Sequence, residues 1–205
     1  MANIAINGFG RIGRNALKII FEKYRNEVNV VGINDLTSPA TLAHLLKYDT
    51  SYGVWRHDIG ADDNHIIVDG VSIPIYAIKE PDQLPWRDLN VDVVIESTGR
   101  FTDEEGMRKH LAAGAKKVVL SAPAKGGGVD TFLIGINQQN YQGQEVINNA
   151  SCTTNCIAPV AAIIDQAFGI KKAMMTTIHA YTADQNIQDG PHKDLRRARA
   201  AAAVS

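Results

Sequence analysis

Two cysteines lie four residues apart in the polar segment NNASCTTNC, residues 148–156. Three kinds of site use such a pair: a disulfide or metal clip, a buried structural thiol, and a thiolate held ready for nucleophilic attack. The spacing of Cys152 and Cys156 is one residue too long for a redox Cys-x-x-Cys pair, and no second pair of ligands stands at the spacing of a tetrahedral zinc site. The sequence therefore predicts neither a disulfide nor a metal site.

Cys152 stands where a helix is predicted to begin. The short polar residues 149–154 are typical of helix starts, and apolar residues then recur at helical spacing until Gly169. Pro159 should kink this helix or shift its start. Because a helix N-terminus stabilises thiolate, Cys152 is the predicted nucleophile, and the buried structural thiol suits Cys156, which falls on the apolar face.

A histidine ends the β-rich run that follows, residues 171–179. A helix from Cys152 to Phe168 would be about 25 Å long, and nine residues of strand would span about 30 Å. With a tight turn at Gly169, the strand would run back beside the helix and bring His179 close to Cys152. These lengths predict a Cys–His pair, in which the imidazole stabilises the thiolate and exchanges protons during turnover.

A glycine-rich turn indicates a second kind of chemistry, the binding of a pyrophosphate. Gly8, Gly10 and Gly13 form G-x-G-x-x-G between a predicted strand and a predicted helix, the context in which this motif binds dinucleotides. The first glycine allows the turn, the second lets the backbone reach the pyrophosphate, and the third brings helix and strand together. Asp35 ends the next strand, where a carboxylate accepts hydrogen bonds from a ribose diol and repels a 2′-phosphate. The pattern predicts NAD rather than NADP.

The predicted elements that position these residues alternate between strand and helix over the first 150 residues. This rhythm predicts an α/β fold with a doubly wound, mostly parallel Rossmann-type sheet. The segment HIIVDGVSIPIYAI interrupts it with a hairpin at Asp69-Gly70, an antiparallel insertion or edge. A later helix is predicted to open at Thr102 in a capping box with Glu105. The predicted strands are NIAI, residues 28–33, VDVVIES, KKVVLSA, TFLIGI and EVINNA.

Composition argues against two classes of partner. The 21 basic and 22 acidic residues give a formal charge of -1, which offers no field for nucleic acid or an anionic membrane. The N-terminus runs into an apolar alternation without a basic leader, and no apolar run approaches the ~18 residues of a membrane span. We expect a cytoplasmic, reducing setting.

Longer blocks carry a resemblance to a known family. INGFGRIGR, NDLTSPATLAHLLKYDT, ESTGRFT, KKVVLSAPAK, NASCTTNC and TIHAYTADQ follow in the order and spacing of the glyceraldehyde-3-phosphate dehydrogenases, along the whole chain. HKDLRRARAAA is similar to the bacterial glycolytic form of that family. The resemblance implies an NAD-binding domain at residues 1–151 and the N-terminal part of an α+β catalytic domain at residues 152–205. Since chains of the family are longer, it also implies that the catalytic domain is truncated.

The resemblance implies an NAD-dependent phosphorylating aldehyde dehydrogenase of glycolysis, a cytoplasmic homotetramer when full length. Glyceraldehyde 3-phosphate would be oxidised through a thiohemiacetal and a thioester on Cys152, and inorganic phosphate would release 1,3-bisphosphoglycerate. His179 would be the activating base. Besides the three glycines, the implied NAD positions are Asn7, Arg11, Ile12, Asp35, Lys79, Thr98 and Ser121. The implied substrate and phosphate positions are Ser151, Thr153, Thr182 and Arg197.

Three other interpretations remain open at this point. Erythrose-4-phosphate dehydrogenase shares the Cys–His architecture, and kinetics on the two aldehydes would separate it from the glycolytic enzyme. A non-catalytic NAD-binding fragment is an option only because of the truncation, and a complete Cys–His pair counts against it. A thiol hydrolase needs no dinucleotide, so the glycine motif with Asp35 counts against that class.

Overall fold

Strands and helices alternate along the first part of the computed structural model, which describes residues 1–203. Residues 204 and 205, the end of the predicted catalytic segment, lie outside the described residues. The chain divides into two compact units, Met1–Ile163 and the residues from Ile164 onward. The strands are β1 Ala2–Asn7, β2 Val28–Asn34, β3 Tyr48–Asp49, β4 Gly53–Val54, β5 Ile59–Ala61, β6 His65–Val68, β7 Val71–Tyr76, β8 Val93–Glu96, β9 Lys117–Leu120, β10 Asp130–Thr131 and β11 Val146–Asn148. The α-helices are α1 Arg11–Ile19, which a π-turn extends over Ile20–Tyr24, α2 Pro39–Lys47, α3 Glu104–Ala112 and α4 Cys152–Phe168; short 3-10 turns occupy Pro81–Gln83, Gln138–Asn140, Leu195–Ala198 and Ala201–Ala203.

Within residues 1–203, nine strands form one sheet in the order β10-β11-β9-β8-β1-β2-β7-β6-β5, and β3 pairs with β4 separately. The pairing is parallel from β10 to β7 and antiparallel from β7 to β5. The strand order changes direction at β1, because the chain adds β2 and β7 on one side of it and β8, β9 and β11 on the other. The predicted mostly parallel α/β fold is confirmed, and ligands of such sheets bind at this switch point.

Neighbouring residues of β1 point into two different cores. Ala5 and Ile6 are both fully buried, but Ala5 packs in the cluster of Met107 from α3, while Ile6 packs with Leu17 from α1 and Leu42 from α2. Successive side chains of a strand alternate between its faces, so these clusters lie on opposite faces of the sheet. Helices therefore cover both faces, as the term doubly wound requires.

The predicted hairpin at Asp69-Gly70 is present and joins the parallel sheet at its edge. Val68 pairs with Val71 across the turn. Asp69 and Gly70 both have positive φ, 50° and 79°, the backbone of the turn type whose twist matches a two-stranded ribbon. β7 then pairs in parallel with the end of β2. The hairpin thus extends the sheet beyond β2, on one side of the switch point.

The capping box predicted at Thr102 is wrong by one residue. Asp103 is the N-cap of α3, and its Oδ1 accepts a hydrogen bond from the Gly106 N–H at 2.8 Å. Thr102 lies before the helix, where its carbonyl accepts the Lys125 N–H at 2.7 Å. The Asp103 carboxylate bonds a free N–H of the first helical turn from one position later than predicted, so the helix begins at Glu104.

The strand predicted over TFLIGI is mostly absent. β10 ends at Thr131, because the Asn137 side chain takes over the backbone groups that a strand would pair. Its Oδ1 accepts the Leu133 N–H and its Nδ2 donates to the Thr131 carbonyl, both at 2.8 Å. A side-chain amide therefore closes a turn where the apolar run predicts a longer strand.

The predicted helix over residues 152–168 is confirmed as α4, with Pro159 inside it. Gly169 ends it at a φ of 71°, its N–H bonded to the Asp165 carbonyl at 2.8 Å. No residue of α4 is buried in the chain that the structure describes. The prediction that Cys156 is a buried structural thiol is therefore wrong: Cys156 is exposed.

The strand predicted over residues 171–179 is also wrong, since no strand forms between Gly169 and Asp194, all of which the structure describes. Met174 and Ile178 are fully exposed. A strand needs a neighbour for its backbone groups, and no described strand pairs with this segment. The strand-return argument for a Cys–His pair loses its support, and the pair stays a prediction that depends on the resemblance.

Candidate functional site

A cleft of about 480 Å³ lies at the carboxyl ends of β1, β2 and β8, within the unit Met1–Ile163. Polar and charged groups from these three strand ends line it, which suits a dinucleotide better than an apolar ligand. Six of the predicted cofactor residues line this cleft: Asn7, Gly8, Gly10, Asp35, Lys79 and Thr98. The other four lie at the start of α1 and just after β9: Arg11, Ile12, Gly13 and Ser121.

The three glycines of the motif occupy three different environments. Gly8 has a φ of 89°, and a Cβ on it would lie 2.6 Å from the Thr98 nitrogen. A Cβ on Gly13 would lie 2.3 Å from the Gly8 carbonyl oxygen, so this glycine lets α1 approach β1. A Cβ on Gly10 would meet nothing within 4 Å. The geometry fits the predicted division of roles: turn, close packing, and open space beside the backbone for a pyrophosphate.

The start of α1 has the character of an anion site. Gly10 is its N-cap and offers no side-chain cap to the first N–H groups, and no acidic residue occupies the first turn. Ile12 is 52% exposed. A helix N-terminus left uncapped in this way presents donors and a positive dipole end to a phosphate.

The Asp35 carboxylate is fixed at the mouth of the cleft by two backbone donors. Its Oδ2 accepts the Phe9 N–H at 2.8 Å and its Oδ1 accepts the Thr37 N–H at 2.9 Å. Each oxygen keeps a second lone pair that a hydroxyl can use. The link to Phe9 places the carboxylate beside the glycine turn, as ribose recognition next to a pyrophosphate requires.

The Arg11 side chain forms an ion pair and a cation–π contact with residues outside the cleft. Its guanidinium pairs with Asp49 at 2.9 Å and lies over the Tyr52 ring at 5.4 Å from the centroid. The Tyr52 N–H, followed by the Ser51 N–H and then by Arg11, lowers the pKa of Asp49 to about 2. Arg11 is therefore placed to meet a phosphate through its backbone N–H, at the start of α1, rather than through its side chain.

The segment that leads to Cys152 is held by side-chain amides. Ala150 has a positive φ of 58°, and its N–H is bonded to Oδ1 of the buried Asn148 at 3.0 Å. Asn155 Nδ2 donates back to the Ser151 carbonyl at 2.9 Å. Ser151 Oγ accepts the Thr154 N–H at 3.0 Å, so it caps α4. Cys152 is thereby fixed as the exposed first residue of α4.

The predicted phosphate ligands divide between the two units. Ser151 acts as a helix cap, and Thr153 is half-buried in the first turn of α4. In the second unit, the Thr182 N–H donates to Gln185 Oε1 at 2.7 Å, and Arg197 forms ion pairs with Asp184 and Asp194.

A cavity of about 390 Å³ lies within the second unit. His179 and Arg197 line it together with Arg196 and Arg199, so it combines an imidazole with three guanidinium side chains. Guanidinium groups bind phosphate through paired hydrogen bonds, so this cavity suits a phosphorylated ligand. Thr182 does not line it.

Sequence reasoning missed several buried polar residues at the strand ends beside the cleft and before the Cys152 segment. Asn34, Glu96 and Asn148 are buried, and each is the last residue of a parallel strand, as Asn7 is. A polar residue that ends an apolar run in VGIN, VVIE and VIN is the signal that would have found them. In the described residues 1–203, no cluster of three or more acidic, histidine or cysteine side chains is arranged to hold a metal ion, and no helix is long and apolar enough to cross a membrane.

Comparisons with known proteins give one family for both parts of the chain. Residues 2–104 match the family model described as glyceraldehyde 3-phosphate dehydrogenase, NAD binding domain, and residues 151–204 match the C-terminal domain of the same family. The chain is 53% identical over 204 residues to glyceraldehyde-3-phosphate dehydrogenase 1 of Bacillus cereus, a match that covers 98% of this chain and 60% of the relative. It is 54% identical over 205 residues to glyceraldehyde-3-phosphate dehydrogenase of Mycobacterium tuberculosis, a match that covers 97% of this chain and 60% of that relative. The chain thus spans about 60% of the length of the curated relatives it matches.

Proposed function

Because the chain belongs to the glyceraldehyde-3-phosphate dehydrogenase family and carries its NAD-binding domain, we propose that the complete protein oxidises glyceraldehyde 3-phosphate with NAD and inorganic phosphate. The observation that carries this proposal is the position of Cys152, an exposed first residue of α4 in the same compact unit as the cofactor cleft. A thiol at that place is accessible to a substrate and lies at the positive end of a helix dipole.

The proposed chemistry proceeds on the Cys152 sulfur. The thiolate adds to the aldehyde carbon, and the resulting oxyanion takes a proton from protonated His179 to give a hemithioacetal. His179 takes this proton back as the hydride leaves. NAD, when bound, supplies the acceptor for the hydride that leaves this carbon. The resulting thioester is attacked by inorganic phosphate, which forms 1,3-bisphosphoglycerate and returns Cys152 as thiolate. The uncapped start of α1, the space at Gly10 and the Asp35 carboxylate fit the pyrophosphate and adenosine ribose of NAD.

The remaining assignments follow from the family resemblance. We propose that residues 1–151 form the NAD-binding domain and that the catalytic domain begins at Cys152. Ser151, Thr153, Thr182 and Arg197 would hold the substrate and the phosphates, an assignment supported for Arg197 by the arginine-lined cavity. The complete protein would be a cytoplasmic homotetramer of glycolysis. Erythrose 4-phosphate is the alternative substrate, and kinetics on the two aldehydes decide between them.

Replacement of Asp35 by alanine is expected to weaken NAD binding by about 10- to 100-fold, since hydrogen bonds to a charged group are worth roughly 1.5–3 kcal/mol. NADP binding should fall much less, because the change also removes repulsion from the 2′-phosphate. Titration of both dinucleotides by calorimetry measures the two losses. Asp35→Asn, which keeps one acceptor oxygen for the backbone donors, separates the loss of charge from loosening of the turn. Equal losses for the two cofactors would contradict the assignment of Asp35.

Iodoacetamide is expected to alkylate Cys152 at least about ten times faster than Cys156 near neutral pH, because a helix N-terminus favours thiolate. Both cysteines are exposed, so a difference in rate reports ionisation rather than access. Peptide mapping at short reaction times gives the two rates in one sample. Comparable rates of labelling at the two cysteines would contradict the assignment of Cys152 as nucleophile.

A further inference from the structure

A carboxylate is buried directly beneath the cofactor cleft. Glu96 ends β8 and is completely inaccessible to solvent, as is its neighbour His110 from α3. An isolated charge in such a place is strongly unfavourable, so the hydrogen bonds around it must hold it. This charge belongs to neither the glycine motif nor the Cys152 segment, and its place under the cleft requires an explanation.

Four donors converge on Glu96. The Thr98 N–H donates to Oε1 at 2.8 Å, and the Thr98 hydroxyl donates to the same oxygen. Asn7 Nδ2 donates to Oε2 at 2.6 Å, and His110 Nε2 lies 3.0 Å from that oxygen. A proton on Oε2 would point at the Asn7 and His110 donors, and a proton on Oε1 would displace the hydrogen bond that the Thr98 hydroxyl donates. The network therefore fits the carboxylate form of Glu96.

The directions of the hydrogen bonds at Oε2 are fixed from both ends of the network. Trp86 Nε1–H can only donate, and it reaches His110 Nδ1 at 3.0 Å, so the His110 proton is on Nε2 and points at Glu96. At the other end, Asn34 is locked by two bonds to the Ile78 backbone, both 2.9 Å, and donates to Asn7 Oδ1 at 2.7 Å. The Asn7 amide group must then face Glu96.

The topology of the cleft places this charge on the nicotinamide side. Asp35 follows β2 and suits the adenosine ribose, and the glycine turn follows β1 and suits the pyrophosphate. The other half of a dinucleotide must continue to the opposite side of β1, over the end of β8. Thr98, which lines the cleft there, is bonded directly to Glu96.

We propose that Glu96 makes the cleft prefer the oxidised over the reduced dinucleotide, because its carboxylate lies below the place of a nicotinamide ring that is cationic in NAD⁺ and neutral in NADH. This inference rests on the proposed function, since it takes NAD as the ligand. The pyrophosphate charge is the same in both forms, so repulsion from Glu96 cancels in their comparison. The charges of Asp35, Lys79, Glu80 and Arg100 around the cleft cancel in the same way when Glu96 alone is changed.

The decisive quantity is the dissociation constant of NAD⁺ divided by that of NADH, measured by calorimetry and by NADH fluorescence. In Glu96→Gln this ratio is expected to rise about 5- to 20-fold, the size of a charge interaction over roughly 10 Å in a protein environment. If Glu96 only stabilised the fold, its replacement would weaken the binding of NAD⁺ and NADH equally and leave the ratio unchanged.

In Glu96→Gln the glutamine NH₂ group would face the donors of Asn7 and His110, which could prevent folding. A second variant without the charge therefore provides an independent test. Adding Trp86→Phe to Glu96→Gln removes the donor that fixes the His110 tautomer, so His110 Nε2 can accept a hydrogen bond from the introduced amide. Trp86→Phe alone is the matched control. This variant keeps the Glu96 charge, so any loss of affinity should be the same for NAD⁺ and NADH and the ratio should stay at its wild-type value.

The outcomes separate the two proposals. Wild-type protein that binds neither NAD⁺ nor NADH overturns the proposed cofactor and this inference with it. Wild-type protein that binds both, with an unchanged ratio in the neutral variants, overturns only the role of Glu96. A raised ratio in a neutral variant and a wild-type ratio in Trp86→Phe supports it.

Discussion

Cys152→Ser is expected to reduce turnover of the complete protein by at least about 1,000-fold, the scale on which loss of a nucleophile acts in other enzymes. A serine hydroxyl ionises far less readily than a thiol, so position 152 would no longer supply an anionic nucleophile. Two hydrogen bonds hold the segment, one donated by the Ala150 N–H to Asn148 Oδ1 and one donated by Asn155 Nδ2 to the Ser151 carbonyl, and neither involves the sulfur. The fold and the NAD affinity should therefore stay close to those of the wild type.

Steady-state production of NADH and calorimetric titration of NAD measure the two properties. Cys156→Ser is the matched control, because it makes the same chemical change one helical turn further along α4 at another exposed position. This control should keep most of the activity. If Cys152→Ser retained more than a few per cent of turnover, or if Cys156→Ser lost as much, Cys152 would not be the nucleophile.

The second large effect is expected at Gly8. Alanine there would have to adopt a φ of 89° and place its Cβ 2.6 Å from the Thr98 nitrogen. The backbone strain and overpacking together should lower the free energy of unfolding by about 2–5 kcal/mol. Since the clash would displace both the glycine turn and Thr98, NAD binding should be lost as well. Thermal unfolding and titration with NAD are the measurements.

Gly10→Ala separates binding from stability. A Cβ at Gly10 meets no atom within 4 Å, and the residue has a φ of -70°, which alanine adopts freely. This variant should unfold at nearly the wild-type temperature yet bind NAD more weakly, because the methyl group occupies the space proposed for the pyrophosphate. A Gly8→Ala protein with wild-type stability, or a Gly10→Ala protein with wild-type affinity, would contradict the division of roles within the motif.

The features that depend on residues close together in the chain could be predicted from the sequence. The glycine turn, the helix after it and the end of the strand before Asp35 all lie within 28 residues, and the hairpin at Asp69-Gly70 is set by two residues whose backbone preferences agree with it. The doubly wound, mostly parallel sheet followed from the alternation of strands and helices. These predictions succeeded because local sequence and global fold favour the same arrangement.

Other features depend on competition between adjacent groups or on distant partners. Thr102 and Asp103 both suit a helix cap, and only the geometry of the side chain decides between them. The strand predicted over TFLIGI is mostly absent because the side-chain amide of Asn137 bonds its backbone groups. The segment 171–179 has the composition of a strand but no described neighbour to pair with. Glu96 meets Asn7 across 89 residues, and no local pattern announces that contact.

The central position of β1 sets the order in which the cleft is assembled during folding. Its contacts with β2 join residues 26 apart, as between Ala2 and Val28, whereas its contacts with β8 join residues 89 apart, as between Ile4 and Val93. Closing the longer loop costs only about 1 kcal/mol more in chain entropy. It nevertheless requires that nearly 100 residues have left the ribosome. The β2 side of the cleft can therefore form earlier in synthesis than the side that contains Glu96, which is completed only when β8 arrives.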